Sequence, residues 1–180
     1  MAHPTTPGDG PGRPGYVLII LTMAVFLIAI GLLVAVPVLQ TELQREKEEE
    51  LIFRGKQYAE AVRVFAQKNP GRFPASLKDL LDKKCIRRLY RDPFHPEGLW
   101  NVVLATGKAP SGKEAAQEVL VAPERALPAI KDAKILGVVS SSVAKSVKIY
   151  NDQETHDKWL FFFGQDPKKP PKIVYYGEKR

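Results

Sequence analysis

The chain predicts an α+β fold: one long N-terminal helix, membrane-spanning in its first half and amphipathic in its second, packed on a small antiparallel sheet. Three observations carry this. Residues 16–39, YVLIILTMAVFLIAIGLLVAVPVL, hold no charge. The run then passes without a Gly/Pro-rich break into QTELQREKEEE, after which Leu43, Leu51, Tyr58, Val62 and Phe65 recur at helical spacing among charged residues. From residue 91 onward, turn residues alternate with short β-rich runs.

A helix over residues 16–39 would reach roughly 36 Å at about 1.5 Å per residue, against a hydrocarbon core of about 30 Å. This is the transmembrane half; residues 40–68 form the amphipathic half of the same helix. Ahead of it, residues 1–15 (MAHPTTPGDGPGRPG) carry four prolines and four glycines and read as a leader without a packed element. Counted by Lys and Arg alone, the flanks do not decide the orientation, and the positive-inside rule lends only slight support to an N-terminus inside. A cleavable secretory signal fits poorly, because its apolar region spans only about 7–15 residues and this run continues past the small residues Ala29 and Gly31. A plain signal anchor stays open.

Residues 69–180 are enough for one small domain. The net charge of +7, from 27 basic and 20 acidic residues, is spread along the chain without interleaved aromatic residues, so nucleic acid is not an expected partner. Cys85 is alone and reads as a buried structural thiol.

Taken in order, Pro70 and Gly71 end the long helix, and Ser76 with Asp79 caps a short one whose Leu77, Leu80 and Leu81, with Phe73, point to core. Residues 92–98 are a turn cluster and 99–105 a strand. Residues near 106–133 read as a variable surface insertion. Strands follow at 135–139 and 159–163, with a short edge strand at 173–176. Ser140, Ser141 and Ser142 read as a polar turn. His3, His95 and His156 fall in the leader and in loops with no partner at metal-ligand spacing, and no nucleophile, phosphate loop or paired-acid motif is present, so neither catalysis nor a cofactor is expected.

Several of these residues carry a family resemblance. A short leader ending in Gly15, an aromatic Tyr16 and an apolar helix flowing into an amphipathic one resemble the class III signal of type IV pilins and type II secretion pseudopilins. REKEEELIFRGKQYAEAVRVFAQKNPGRFPASLKDLL, residues 45–81, is similar to the protein G-like pseudopilins, as are Arg91-Asp92-Pro93 followed by Trp100, residues 137–140, and Ile149-Tyr150 followed by Trp159-Leu160-Phe161. The resemblance implies a type IV pilin-like fold, cleavage by a prepilin peptidase between Gly15 and Tyr16, and methylation of Tyr16. It also implies assembly with other pilin-like subunits through the apolar helix, and an inner-membrane platform protein as partner. The expected placement is single-pass in a bacterial inner membrane, N-terminus cytoplasmic and C-terminal domain periplasmic.

At the fifth mature position, where the family has a glutamate to pair with a neighbour's terminal amine, this chain has Ile20. That departure points to a minor or tip subunit, or to a helix that does not assemble. Gly31 and Pro37 would let the helix loosen, and the resemblance implies that this interval is often stretched in assembled filaments. Some type II major pseudopilins bind calcium in a loop before a tryptophan. Asp152, Glu154 and Asp157 precede Trp159, but the loop lacks the glycines of that pattern, so no metal is expected. Alternatives to a secretion pseudopilin are a type IV pilin of a motility or DNA-uptake machine, and a signal-anchored periplasmic binding module.

Overall fold

The computed structural model describes residues 14–106, 117–166 and 169–177. The expected leader up to Arg13, with His3, and residues 107–116 of the expected insertion lie outside the described residues. Two helices and seven strands follow in the order α1 (Pro14–Lys68), α2 (Leu77–Asp82), β1 (Asn101–Ala105), β2 (Glu118–Pro123), β3 (Ile135–Val139), β4 (Lys145–Tyr150), β5 (Gln153–Thr155), β6 (Phe161–Phe162) and β7 (Lys172–Tyr175). The chain divides into two units, Met1–Glu42 and Leu43–Arg180.

The described part of the first unit is the apolar stretch of α1, and every described side chain over residues 16–39 is exposed. Its few polar groups are satisfied locally. The Thr22 hydroxyl lies 3.0 Å from the Leu18 carbonyl and 2.9 Å from that of Ile19, and the Thr41 hydroxyl donates to the Pro37 carbonyl at 3.0 Å. A hydroxyl turned back on its own helix leaves only apolar surface facing outward. Pro37 lies inside α1, where it brings no amide donor.

In the second unit the rest of α1 buries one stripe: Glu48, Leu51, Gly55, Tyr58, Val62 and Phe65, spaced three and four residues apart. Leu43, expected on that face, is exposed, because the stripe's continuation falls on Gln44, one residue or about 100° around the helix. Beyond Lys68 the Asn69 side chain donates to the Phe65 carbonyl at 3.0 Å, and Gly71 turns the chain at φ +79°. The capping box on α2 forms as expected: the Asp79 amide donates to Ser76 Oγ at 3.2 Å and the Ser76 amide to Asp79 Oδ2 at 2.9 Å. Leu77 and Leu80 enter the core, whereas Leu81 is exposed, since a helix of less than two turns has one buried face.

The main sheet runs β6-β3-β1-β2-β7 and is mixed, which corrects the antiparallel expectation. β1 pairs antiparallel with β2 and β3, and β3 with β6, but β7 runs parallel to β2, Glu118 opposite Lys172 and Val121 opposite Tyr175. The expected surface insertion holds β2 itself, with Val119, Val121 and Ala122 buried, followed by a 3-10 turn at Glu124–Ala129. Only part of that segment is therefore surface. A strand buried on both faces reads as a short continuous apolar run, VLVA, which periodicity alone does not separate from an incidental patch. The C-terminal run expected at 159–163 pairs only over β6, and Trp159 and Leu160 precede the strand while remaining buried.

Both faces of the sheet are apolar. Val102, Leu104, Ala122, Ile135, Val138 and Phe161 join Leu51, Tyr58, Val62 and Phe65 of α1 in the larger core. Val103, Val119, Val121, Leu136, Val139, Leu160 and Phe162 form a second cluster with Ile173 and Tyr175. Strict alternation would not let Ile135 and Val138 share a face; a register shift in the β1–β3 pairing, between Val103 and Leu104, makes it possible. Gly55 lets the helix and the sheet meet closely: a Cβ there would stand 2.2 Å from the Phe161 ring, so the ring lies directly on the helix backbone. Cys85, expected to be buried, is only partly so.

The turn cluster at 92–98 and Tyr90, leading into it, are tied to this core. The Tyr90 carbonyl accepts both the Tyr58 hydroxyl and the Trp100 indole N–H at 2.9 Å, and burial pushes the Tyr58 phenol up to about 12. The Asp92 carboxylate, itself buried, accepts the Phe94 amide at 2.8 Å and the Ser140 hydroxyl at 2.7 Å. Ser140 is thus buried and bonded, where a polar turn was expected.

Candidate functional site

The residues expected to mark processing and assembly all fall on α1. Gly15 and Tyr16 stand at its start, exposed, and Ile20 lies one turn further on. Gly31 has open space around it, with nothing within 4 Å of a Cβ built there, and Pro37 follows. These five positions share one helix and one surface, and no described residue packs over them. The helix is long and apolar enough to cross a membrane. An apolar helix with no polar side has no stable exposure to water, so this surface is met by lipid, by other helices, or by both.

A second constellation lies further along α1, at Glu48, one of the charged residues between the apolar positions of the amphipathic half. Glu48 is fully buried. Its Oε1 accepts the Val147 amide at 2.8 Å and the Gln44 side-chain amide at 2.9 Å, and its Oε2 accepts the Lys148 amide at 2.8 Å. His156, also fully buried, places Nε2 3.2 Å from Glu48 Oε1. The imidazole is stacked on Phe94, centroids 4.1 Å apart, and meets Trp159 edge-on at 5.2 Å. Burial pushes the Glu48 carboxyl up, but the two backbone amides, Gln44 and His156 together outweigh it and hold the group below its ordinary value. The carboxylate is therefore ionised, and Nε2 of His156 carries the hydrogen between them.

This cluster explains the form of the β4–β5 hairpin. The two strands pair at Lys145 with Thr155 and at Tyr150 with Gln153, with a register shift between. In that gap the amides of Val147 and Lys148 turn to the helix carboxylate. Glu48 acts as a clamp: both of its oxygens accept hydrogen bonds from the fold and the side chain is closed to solvent. One signal for it was present in the sequence, since Glu48 stands three residues before Leu51 and seven before Gly55, on the buried stripe. Nothing local marked His156, whose burial depends on Phe94 and Trp159 arriving from elsewhere.

The acids before Trp159 are not brought together. Asn151 and Asp152 form the hairpin turn with φ of 49° and 59°, Glu154 pairs with Lys145 at 3.2 Å, and Asp157 accepts the Tyr175 hydroxyl at 3.3 Å. Among the described residues no group of three or more His, Cys, Asp or Glu is placed to hold a metal ion.

The fold and site define an α+β protein with a helix able to span a membrane, an architecture compatible with a pilin-like fold. No family model, no curated protein and no solved structure matches the chain.

Proposed function

We propose that the chain is a pseudopilin-like structural subunit of a type II secretion filament or a related type IV pilus-like filament. It is inserted once in a bacterial inner membrane with its N-terminus cytoplasmic and its α+β domain periplasmic. A prepilin peptidase cuts between Gly15 and Tyr16, and residues 16–39 pack against equivalent helices as subunits enter and leave the assembly. A membrane platform protein couples the assembly to its energy source, and the filament helps move proteins across the outer membrane. The observation that supports this best is the uncharged helix surface of residues 16–39, exposed on every side and leading along α1 into a small α+β unit. Ile20 favours a minor or tip subunit, because no carboxylate is available there to pair with a neighbour's amine.

The test is intact mass with N-terminal sequencing of protein purified from its host's membranes. A start at Tyr16 is expected, and Gly15→Val should leave the precursor uncut. A start at Met1 or Ala2, unchanged by Gly15→Val, would overturn the reading. Ile20 would then favour a signal-anchored periplasmic binding module that does not assemble.

A further inference from the structure

The outward face of the β4 region carries three apolar side chains beside the exposed Lys145–Glu154 ion pair, and no described residue covers them. Val143 is 77% exposed, Ile149 69% and Val147 39%. Val147 and Ile149 stand on β4, and Val143 lies two residues before it. The Lys145 carbonyl accepts the Gln44 side chain at 3.0 Å, and the amides of Val147 and Lys148 are held by Glu48, both at 2.8 Å. The backbone is thus tied to α1 on its inner side while Val143, Val147 and Ile149 face solvent. Such a face on a two-stranded sheet is a liability in water.

Its attachment points say what covers it. Gln44 comes five residues after Leu39, the last residue of the apolar stretch, and Glu48 nine. Five residues reach at most about 17 Å even when fully extended. A bilayer's headgroup layer occupies roughly 5–8 Å beyond the hydrocarbon on each side. If residues 16–39 sit in lipid, the patch is leashed beside the membrane surface. Its charges are already partnered, Lys148 with Glu49 and Lys145 with Glu154. Attraction to anionic lipid is therefore not the driving term; apolar contact is, with Lys145 free to lay its stem along the interface.

We propose that residues 143–149 are a second, interfacial membrane contact, with Val143, Val147 and Ile149 seated at the headgroup–acyl boundary. The contact rests on residues 16–39 entering lipid and does not require filament assembly. It gives the soluble unit one preferred face toward the bilayer, where a bare helix tether would leave it free to turn.

The test uses the full chain with Cys85→Ser, reconstituted in phosphatidylcholine nanodiscs, with a spin label on a single cysteine at 28, 143, 149 or 131. Collision with oxygen, which concentrates in lipid, is compared with collision with a water-soluble nickel chelate. Labels at 143 and 149 should favour oxygen several-fold over the label at 131, and Val147→Asp should abolish that preference while the circular dichroism stays unchanged. A label at 28 in lipid with labels at 143 and 149 matching that at 131 would overturn this contact alone. A label at 28 in water would overturn the spanning segment, and this contact with it. Spin–spin broadening at 149 that persists as lipid is added would reassign the face to a second copy of the chain and equally overturn it. The oxygen preference should survive high salt; its loss there would refute the apolar basis.

Discussion

The two halves of α1 share a backbone and differ in everything else. Over residues 16–39 the sequence is apolar on all sides and every described side chain is exposed; from residue 43 it is apolar on one stripe and that stripe is buried. A helix with one apolar face finds its cover within its own chain, because a small sheet can match a single stripe. A helix apolar all round has no such solution in a chain of this size, and takes its cover from lipid or from other helices. The one reversal lies in the second half, where the buried stripe includes a carboxylate. Glu48 is tolerated there because amides, a side-chain amide and an imidazole replace its water.

Removing that carboxylate is the strongest way to break the contrast. Glu48→Ala leaves the Val147 and Lys148 amides and His156 buried without their acceptor and should cost about 3–5 kcal/mol, read as thermal unfolding of the full chain in detergent micelles. Parent-like stability would show that the clamp contributes nothing. Acid should reproduce part of the loss. Because the native carboxyl lies below its ordinary value, its contribution is complete above the unfolded carboxylate value of about 4.3 and disappears as pH falls through the lower native one. Glu48→Ala should lack that component of acid sensitivity.

The first half should show the opposite sensitivity. Ile28 stands near the middle of the apolar stretch and is 63% exposed, so Ile28→Arg should leave the α+β unit's melting unchanged. It should oppose membrane insertion by about 2.5–3.5 kcal/mol, visible as protein released from membranes by carbonate washing. A glycine in each half sharpens the comparison. Gly55→Ala drives a Cβ into the buried Phe161 ring and should cost about 1–3 kcal/mol, more than the roughly 1 kcal/mol that alanine gains over glycine in a helix. Gly31→Ala meets nothing and should not destabilise the helix. The smallest effect is expected at the acid next to the clamp. Glu49 pairs with Lys148 but its side chain is 67% exposed, so Glu49→Ala should change stability by less than about 1 kcal/mol.

Much of this frame was legible in the sequence. The spanning stretch, the end of α1 near Pro70, the Ser76 cap and the strands around Val103 and Val138 all follow from local chemistry, acting over a few residues. Other parts were not. β2 reads as surface in the sequence because a four-residue apolar run has no period to read. The parallel pairing of β7 joins residues more than fifty positions apart, and no local signal sets its direction. His156 and Ser140 looked like loop residues; each is buried because distant partners, Glu48 and Asp92, supply the bond that makes burial affordable.

The sequence by itself determined that this protein has an uncharged helix long enough to cross a membrane and an α+β remainder, since periodicity and caps are properties of neighbouring residues. Only the tertiary structure decided that a glutamate in a charged run lies inside the fold and bonds to a strand about a hundred residues away, and that Val143, Val147 and Ile149 are left outside. Burial is a property of what packs against a residue, and a linear pattern does not specify its partners.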